Sequence, residues 1–157
     1  AFIRLKLNSL LDEEFVEALY RASIAGVEID LVVRGICSLL PGIPGVSENI
    51  RVRSVLGRFL EHSRIFQFAN GGEDEIYIGS ADLMDRNLNR RVESLVQITR
   101  PEHKKELIKV FDLYVSSTTS GWHLLPTGKW LKVDKTPDGA PLNDLQAVMI
   151  DSYRVNP

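Results

Sequence analysis

The chain has 157 residues, a length typical of one domain, with 44% hydrophobic residues and a formal net charge of −2. This composition supplies a packed core and no overall bias toward nucleic acid or an anionic membrane, so we expect no nucleic-acid partner. The one cysteine, Cys37, excludes an internal disulfide framework. The chain opens within a strand pattern and without an initiator methionine, so we expect a piece of a longer protein.

The first segments predict a strand, a helix and a second strand. Apolar and basic side chains alternate in IRLKL, residues 3–7, as in a strand with one solvent-facing side. Asn8 and Ser9 can cap the following helix, which Gly26 ends. Residues 27–33 finish in a continuous apolar run, which indicates a strand covered on both faces.

The second predicted strand ends beside a charged residue. Arg34 and Gly35 follow it directly, at the strand end where open α/β sheets bind ligands. Residues 39–49 hold two prolines and two glycines and predict a long loop, a kind of segment that often serves a site. Residues 50–54 then predict a third strand.

The middle of the chain predicts a β-hairpin between two other elements. Residues 55–61 favour a short helix. The runs SRIFQF (63–68) and EIYIGS (75–80) lie on either side of an Asn-Gly-Gly turn, which is typical of a hairpin. Residues 92–98 alternate as in one more strand.

The last third begins with a clear helix and then becomes less distinctive. Pro101 opens that helix. Beyond Ser116 we expect a flexible link, short amphipathic pieces at 122–126 and 129–133, and a final helix over 143–153.

Arginine and lysine are unevenly distributed. Eight arginines and no lysine lie between Arg34 and Arg91, whereas six lysines and no arginine lie between Lys104 and Lys135. Because guanidinium groups match phosphate oxygens bidentately, arginines at strand ends indicate a phosphate-bearing ligand. A bias of genome composition, with solvated arginines, is the alternative interpretation.

Residues 61–93 resemble the phospholipase D superfamily motif, in which a His-x-Lys pair and an aspartate precede a Gly-Ser-x-Asn turn and a downstream glutamate. Four residues occupy matching places: His62, Gly79, Ser80 and Glu93. In that superfamily a histidine attacks phosphorus while lysine and asparagine hold the phosphate oxygens.

Three positions depart from that motif. Arg64 replaces the lysine, Ala69 or Asn70 replaces the aspartate, and Asp82 replaces the asparagine. The carboxylate that would orient the imidazole is therefore missing, and Asp82 would repel a phosphate unless it were protonated or metal-bound. This pattern favours phosphate binding or proton transfer over covalent attack.

A closer resemblance covers residues 3–116. It is most specific in VRGICSLLPG (33–42), EHSRI (61–65) and SADLMDRN (80–87). These segments resemble the last, second phospholipase-D-like domain of long-type bacterial polyphosphate kinase. The resemblance implies an α/β fold with a phospholipase-D-like mixed sheet flanked by helices, over residues 1–120, and a C-terminal tail over 121–157 that packs on this domain or extends from it.

The same resemblance implies reversible transfer of the terminal phosphate of ATP to polyphosphate, through a phosphohistidine in a preceding domain that this chain lacks. It implies ATP or ADP, polyphosphate and the upstream domains as partners, a homo-oligomer for the intact protein, and Mg²⁺ whose ligands lie mainly in the missing domain. A cytoplasmic location is expected, with peripheral attachment to the inner membrane as an alternative. We expect this fragment to be inactive alone.

Residue by residue, the resemblance transfers two roles. The family's nucleotide-phosphate arginine falls on Arg34, and its second histidine, a catalytic residue, falls on His62. We expect Arg34, His62 and Arg64 to bind the phosphates of ATP. Secondary candidates are Asp82, Arg86, Asn87 and Glu93. Two alternatives stay open: a phospholipase-D-type phosphodiesterase or nuclease, and a non-catalytic module that binds polyanions.

Overall fold

A computed structural model describes residues 1–154, and over that range the chain forms one eight-stranded sheet with four helices. The strands are β1 (Phe2–Leu7), β2 (Glu28–Val33), β3 (Ile50–Ser54), β4 (Ile65–Phe68), β5 (Glu75–Gly79), β6 (Leu95–Ile98), β7 (Gly121–Leu124) and β8 (Trp130–Val133). The helices are α1 (Glu13–Ile24), α2 (Asp85–Asn89), α3 (Pro101–Val115) and α4 (Leu145–Arg154). None of these helices is long and apolar enough to cross a membrane.

The sheet is mixed, with the order β6-β5-β4-β1-β2-β3-β7-β8. Strands β1, β2 and β3 run parallel, and every other neighbouring pair is antiparallel. The last residues of β1, β2, β3 and β5 therefore lie at the same edge as the first residue of β4. We call this the carboxyl edge, and Asn8, Arg34 and Arg64 lie along it.

The core lies on both faces of the sheet. Alternate residues of β2 point to opposite faces, so Leu31 packs in the cluster that includes Leu19 of α1, whereas Val32 packs against Phe111 of α3 and Leu145 of α4. The predicted βαβ unit and the strand covered on both faces are thus confirmed.

The predicted cap of the first helix is wrong. Asp12 is the N-cap of α1, and its carboxylate accepts a hydrogen bond from the Phe15 amide at 3.0 Å. The N-cap lies four residues after Asn8 and three after Ser9, and the amides of these two residues bond to the side chain of Asp82 instead.

The predicted helix over 55–61 is also wrong, because the segment is irregular. The backbone groups of Phe59 are used elsewhere: its amide donates to Gln146 at 2.8 Å and its carbonyl accepts from the same side chain at 2.8 Å. A Cβ at Gly57 would lie 2.4 Å from Gln146, so the glycine permits this approach.

The other predicted helices and strands are present, and the structure adds the helix α2 and the strands β7 and β8. The hairpin forms β4 and β5, β6 starts at Leu95, and both α3 and α4 are present. The sequence did not predict α2. The two amphipathic pieces after Ser116 are strands, and Trp122 of β7 pairs with Ser54 of β3, so the sheet continues past residue 120.

Candidate functional site

Asp82 is the centre of a hydrogen-bonded network at the carboxyl edge. Its carboxylate accepts the amide of Asn8 at 2.7 Å and the amide of Ser9 at 3.2 Å. Arg64, at the start of β4, donates to it from Nε at 3.3 Å and from Nη2 at 3.0 Å. The ends of β1, β4 and β5 are therefore joined through one carboxylate.

The charge of Asp82 is balanced within this network. The side chains of Asp82 and Arg64 are only 10% and 16% exposed. Burial by itself raises the pKa of Asp82, but the hydrogen bonds from Arg64 and Asn8 outweigh it and lower the pKa below its usual value. Asp82 is thus ionised, and its charge is balanced by Arg64 rather than by a proton or a metal ion, the two ways that the sequence suggests for avoiding repulsion of a phosphate.

Arg34 is held by backbone and side-chain contacts from the strands on both sides of β2. Its Nε donates to the side-chain oxygen of Asn8 at 2.9 Å, and Ser54 donates to its carbonyl at 3.2 Å. Gly35 donates from its amide to the carbonyl of Asn8 at 2.8 Å, and a Cβ at Gly35 would lie 2.9 Å from that oxygen. A glycine is therefore needed directly after Arg34.

Arg34 is half-buried and lines two cavities. Within residues 1–154, no hydrogen bond of the protein uses either of its terminal nitrogens. Arg34 lines a cavity of about 280 Å³ whose wall continues through residues 55–61, Tyr114 and residues 144–146. A second cavity, of about 270 Å³, adjoins Arg34 beside Trp122 and Trp130.

His62 follows directly after the wall of the first cavity and is exposed. No hydrogen bond in the described range involves its imidazole. Its backbone is held instead: its carbonyl accepts from Arg64 Nη1 at 2.7 Å, and the neighbouring Ser63 carbonyl accepts from Lys6 Nζ at 2.9 Å. Lys6 also forms an ion pair with Glu61 on the other side of His62.

The Lys6–Glu61 ion pair and Tyr114 beside it have shifted pKa values. Burial opposes ionisation of Glu61, but hydrogen bonds from Lys6 and Ser63 prevail and lower its pKa to about 2. Tyr114 donates to Glu61 at 2.8 Å, and burial together with that carboxylate raises the pKa of the tyrosine. Burial lowers the pKa of Lys6, and Glu61 offsets part of this effect.

Of the secondary candidates other than Asp82, Asn87 and Glu93 are hydrogen-bonded to each other and Arg86 is exposed. Glu93 accepts from Asn87 Nδ2 at 2.6 Å and from the hydroxyl of Ser80. These two hydrogen bonds lower the pKa of Glu93. Arg86, on α2, is exposed, and within residues 1–154 its side chain takes part in no ion pair.

The family of this chain follows from its match to a family model. The model for polyphosphate kinase C-terminal domain 2 matches residues 1–144. The chain belongs to this family. The resemblance found in the sequence is therefore confirmed, and it extends past residue 116.

Individual relatives agree with this membership. The polyphosphate kinase of Streptomyces coelicolor is 55% identical over 154 residues, which cover 98% of this chain and 21% of the relative. The crystal structure of polyphosphate kinase from Porphyromonas gingivalis superposes with a TM-score of 0.89 at 38% identity, over 98% of this chain and 23% of that chain. The chain thus spans about a fifth of the length of the relatives that it matches.

A more distant structure shares only the fold. NucT from Helicobacter pylori superposes with a TM-score of 0.57 at 9% identity, over 73% of this chain and 78% of that chain. The predicted phospholipase-D-like fold class is confirmed.

The sequence alone does not indicate the residues that hold Arg34 and the His62 segment in place. Asn8 was assigned to a helix cap, but it joins Arg34 to Asp82. Lys6 was expected on the solvent-facing side of its strand, but it is buried. The partners of both lie at least 26 positions away in the chain, so no local spacing indicates them. The one local signal is Glu61, an acid directly before His62.

A magnesium ion at this site would need ligands besides the side chains of the described residues, such as water or phosphate oxygens. Mg²⁺ prefers several oxygen ligands, including carboxylates. Residues 1–154 contain no group of three or more His, Cys, Asp or Glu side chains that could hold a metal ion. The carboxylates nearest the site, Glu61 and Asp82, are each paired with a buried cation.

Proposed function

We propose that this chain supplies one part of the active site of a polyphosphate kinase, which transfers the terminal phosphate of ATP reversibly to polyphosphate. Family membership supports the proposal. The observation that carries it is the cavity of about 280 Å³, which is lined both by Arg34 and by Glu61, the residue before His62.

In this proposal Arg34 binds a phosphate of the nucleotide. Its Nε is committed to Asn8, so the guanidinium plane is fixed and the two terminal nitrogens can donate to two phosphate oxygens. Fixing the donor before the ligand arrives lowers the entropy lost on binding.

His62 acts as a hydrogen-bond donor or general acid to the phosphates. Histidine side chains commonly serve as general acids and as hydrogen-bond donors in active sites. Arg64 holds the carbonyl of His62 and the carboxylate of Asp82, and its remaining N–H groups can also donate to phosphate.

The remaining site residues take supporting roles. Asp82 orients Asn8 and Arg64. Asn87 and Glu93 hold the segment after β5. Arg86, exposed on α2, is available to a long anion such as polyphosphate.

The rest of the machinery lies outside this chain in the proposal. The upstream domains of the same polypeptide contribute the histidine that accepts the phosphate. They also contribute most ligands of the Mg²⁺ that arrives with ATP. We further propose that the intact enzyme is a homo-oligomer that works in the cytoplasm, where ATP is available.

A phospholipase-D-type phosphodiesterase is the less favoured function. A nucleophilic imidazole needs a group that orients it. Among residues 1–154, the nearby carboxylates of Glu61 and Asp82 hydrogen-bond to other groups, and none hydrogen-bonds to the His62 imidazole.

The experiment that tests the proposal compares two purified proteins in an assay of ATP-dependent polyphosphate formation. The full-length enzyme that carries this domain should form polyphosphate, and the isolated chain of 157 residues should form none. A mock purification of each sample is the control. Steady synthesis by the isolated chain, above that control, would contradict the division of the active site between domains.

A further inference from the structure

Lys6 is a buried ammonium group in the middle of the sheet. It lies on β1, a central strand, and its side chain is 3% exposed. An ammonium group at such a place must be paired and hydrogen-bonded, because burial removes its water. The identity of its partners therefore indicates what the residue does.

Both polar partners of Lys6 are neighbours of His62. Nζ pairs with the carboxylate of Glu61 and donates to the carbonyl of Ser63 at 2.9 Å. The same Nζ lies 4.9 Å from the ring centre of Tyr114, whose hydroxyl donates to Glu61 at 2.8 Å. One buried cation thus holds the chain on both sides of His62.

The segment that carries His62 is otherwise held by a few side chains, chiefly Gln146 at Phe59 and Arg64 at the His62 carbonyl. Residues 55–61 form no regular structure, and Leu56, Phe59 and Leu60 are 59%, 57% and 74% exposed. The His62 imidazole is exposed as well. Its position relative to the cavity therefore depends on contacts made by the residues beside it.

We propose that Lys6 is a positioning residue, which clamps residues 61–63 and thereby holds His62 beside the cavity for phosphoryl transfer. This inference rests on the function proposed for His62. A misplacement of about 1 Å can cost about 100-fold in rate, so loss of the clamp is expected to lower turnover even though Lys6 does not touch the phosphates.

Arg4 provides a matched control on the same strand and face. It lies two residues before Lys6, and its Nη1 pairs with Asp112 of α3 at 3.0 Å. Its guanidinium also lies 5.6 Å from the ring centre of Phe111. Arg4→Met removes a cation that joins β1 to α3, as Lys6→Met does, but leaves residues 61–63 untouched.

The experiment uses the full-length enzyme and two measurements. Hydrogen exchange of the peptide over residues 57–64, followed by mass spectrometry, reports the clamp directly. We expect faster exchange in Lys6→Met and wild-type exchange in Arg4→Met. Steady-state kinetics should show kcat lowered about 10- to 100-fold in Lys6→Met, with KM for ATP changed less than about threefold.

A double-mutant cycle separates positioning from general structural damage. If Lys6 acts through His62, then Lys6→Met should lower kcat by less than about threefold in a His62→Ala background. An undiminished further loss in that background would overturn the proposal, as would unchanged exchange over 57–64. If Lys6→Met does not fold, Glu61→Gln, which keeps the size of the side chain, is measured in its place.

The two proposals fail in different ways. If His62→Ala leaves kcat unchanged, the function proposed for His62 is wrong, and with it the role of Lys6 in turnover. If His62→Ala lowers kcat but Lys6→Met changes neither kcat nor exchange, only the clamp is wrong.

Discussion

The two sides of the candidate site are held in different ways. Arg34 follows a strand that is paired on both sides, and backbone hydrogen bonds to Leu7 and Asn8 continue the ladder past it. His62 lies in an irregular segment whose position is set by long side chains, chiefly Lys6 and Arg64. One side is positioned by the sheet and the other by buried charges.

This difference determines how well each side of the site tolerates a side-chain substitution. Ladder hydrogen bonds come from every residue of a strand, so a single side-chain substitution leaves the backbone at Arg34 in place. A position set by a few charged groups depends on each of them, because removing one partner leaves the other buried and unpaired. Substitutions on the two sides should therefore have different consequences.

The largest effect is expected from His62→Ala in the full-length enzyme. A positioned acid or base contributes typically about 100- to 10,000-fold in rate, and turnover should fall by about that factor. The upstream histidine should still be labelled by ATP, although more slowly. Phosphopeptide mapping after brief exposure to ATP and an acid quench measures this.

The same mapping can reverse the assignment. Label on the tryptic peptide that contains His62, with none upstream, would make His62 the nucleophile. The covalent intermediate would then form on the side of the site that is held by charged side chains.

Arg34→Lys tests the side positioned by the sheet. The substitution keeps the charge but loses the planar fork, and a hydrogen bond to a charged group contributes about 1.5 to 3 kcal/mol. We expect turnover to fall at least about tenfold, with circular dichroism unchanged because the strand itself is not affected. If Arg34→Ala kept wild-type turnover and KM for ATP, the phosphate assignment would be wrong.

A smaller effect is expected from Asn8→Ala, which removes the side-chain acceptor for Nε of Arg34. An ordinary hydrogen bond contributes about 0.5 to 1.5 kcal/mol, so KM for ATP should rise about 2- to 13-fold. Ser9→Ala is the control, because the contact of Ser9 with Asp82 uses its backbone amide. Equal KM values for the two variants would show that Arg34 needs no side-chain support.

The smallest effect concerns the acid stability of the His62 side. The pKa of Glu61 is about 2 in the folded chain against 4.5 for the free group, so its stabilising contribution is complete above about pH 4.5. That contribution is lost as the pH falls toward 2. The difference in free energy of unfolding between wild type and Glu61→Gln, from urea titrations, should therefore shrink between about pH 6 and pH 3. A constant difference would mean that the pKa of Glu61 is the same in the folded and the unfolded chain.

The sequence predicted the parts of the molecule that depend on local patterns. Alternation and apolar runs indicated the strands, and the rule for strand ends placed Arg34 at the carboxyl edge. The helix expected over 55–61 was wrong because the side chain of Gln146, 87 positions from Phe59, binds the backbone groups of Phe59 instead. Local propensity contains no information about such a partner.

The side held by charges was predictable only in part. The family resemblance indicated His62, but nothing in IRLKL distinguishes Lys6 from a solvent-facing lysine. Its burial is decided by α3, whose Tyr114 covers it. The assignments of Arg34, His62 and Arg64 to phosphate stay predictions.

The separation in sequence of the two supporting networks sets an order of assembly during biosynthesis. The contact between Asn8 and Asp82 spans 74 positions, so the network around Arg34 can close only after Asp82 has left the ribosome. The clamp on His62 is completed later, because it needs Tyr114. A nascent chain that stops before α3 would therefore contain every side chain of the network around Arg34 but would lack Tyr114, which completes the clamp on His62.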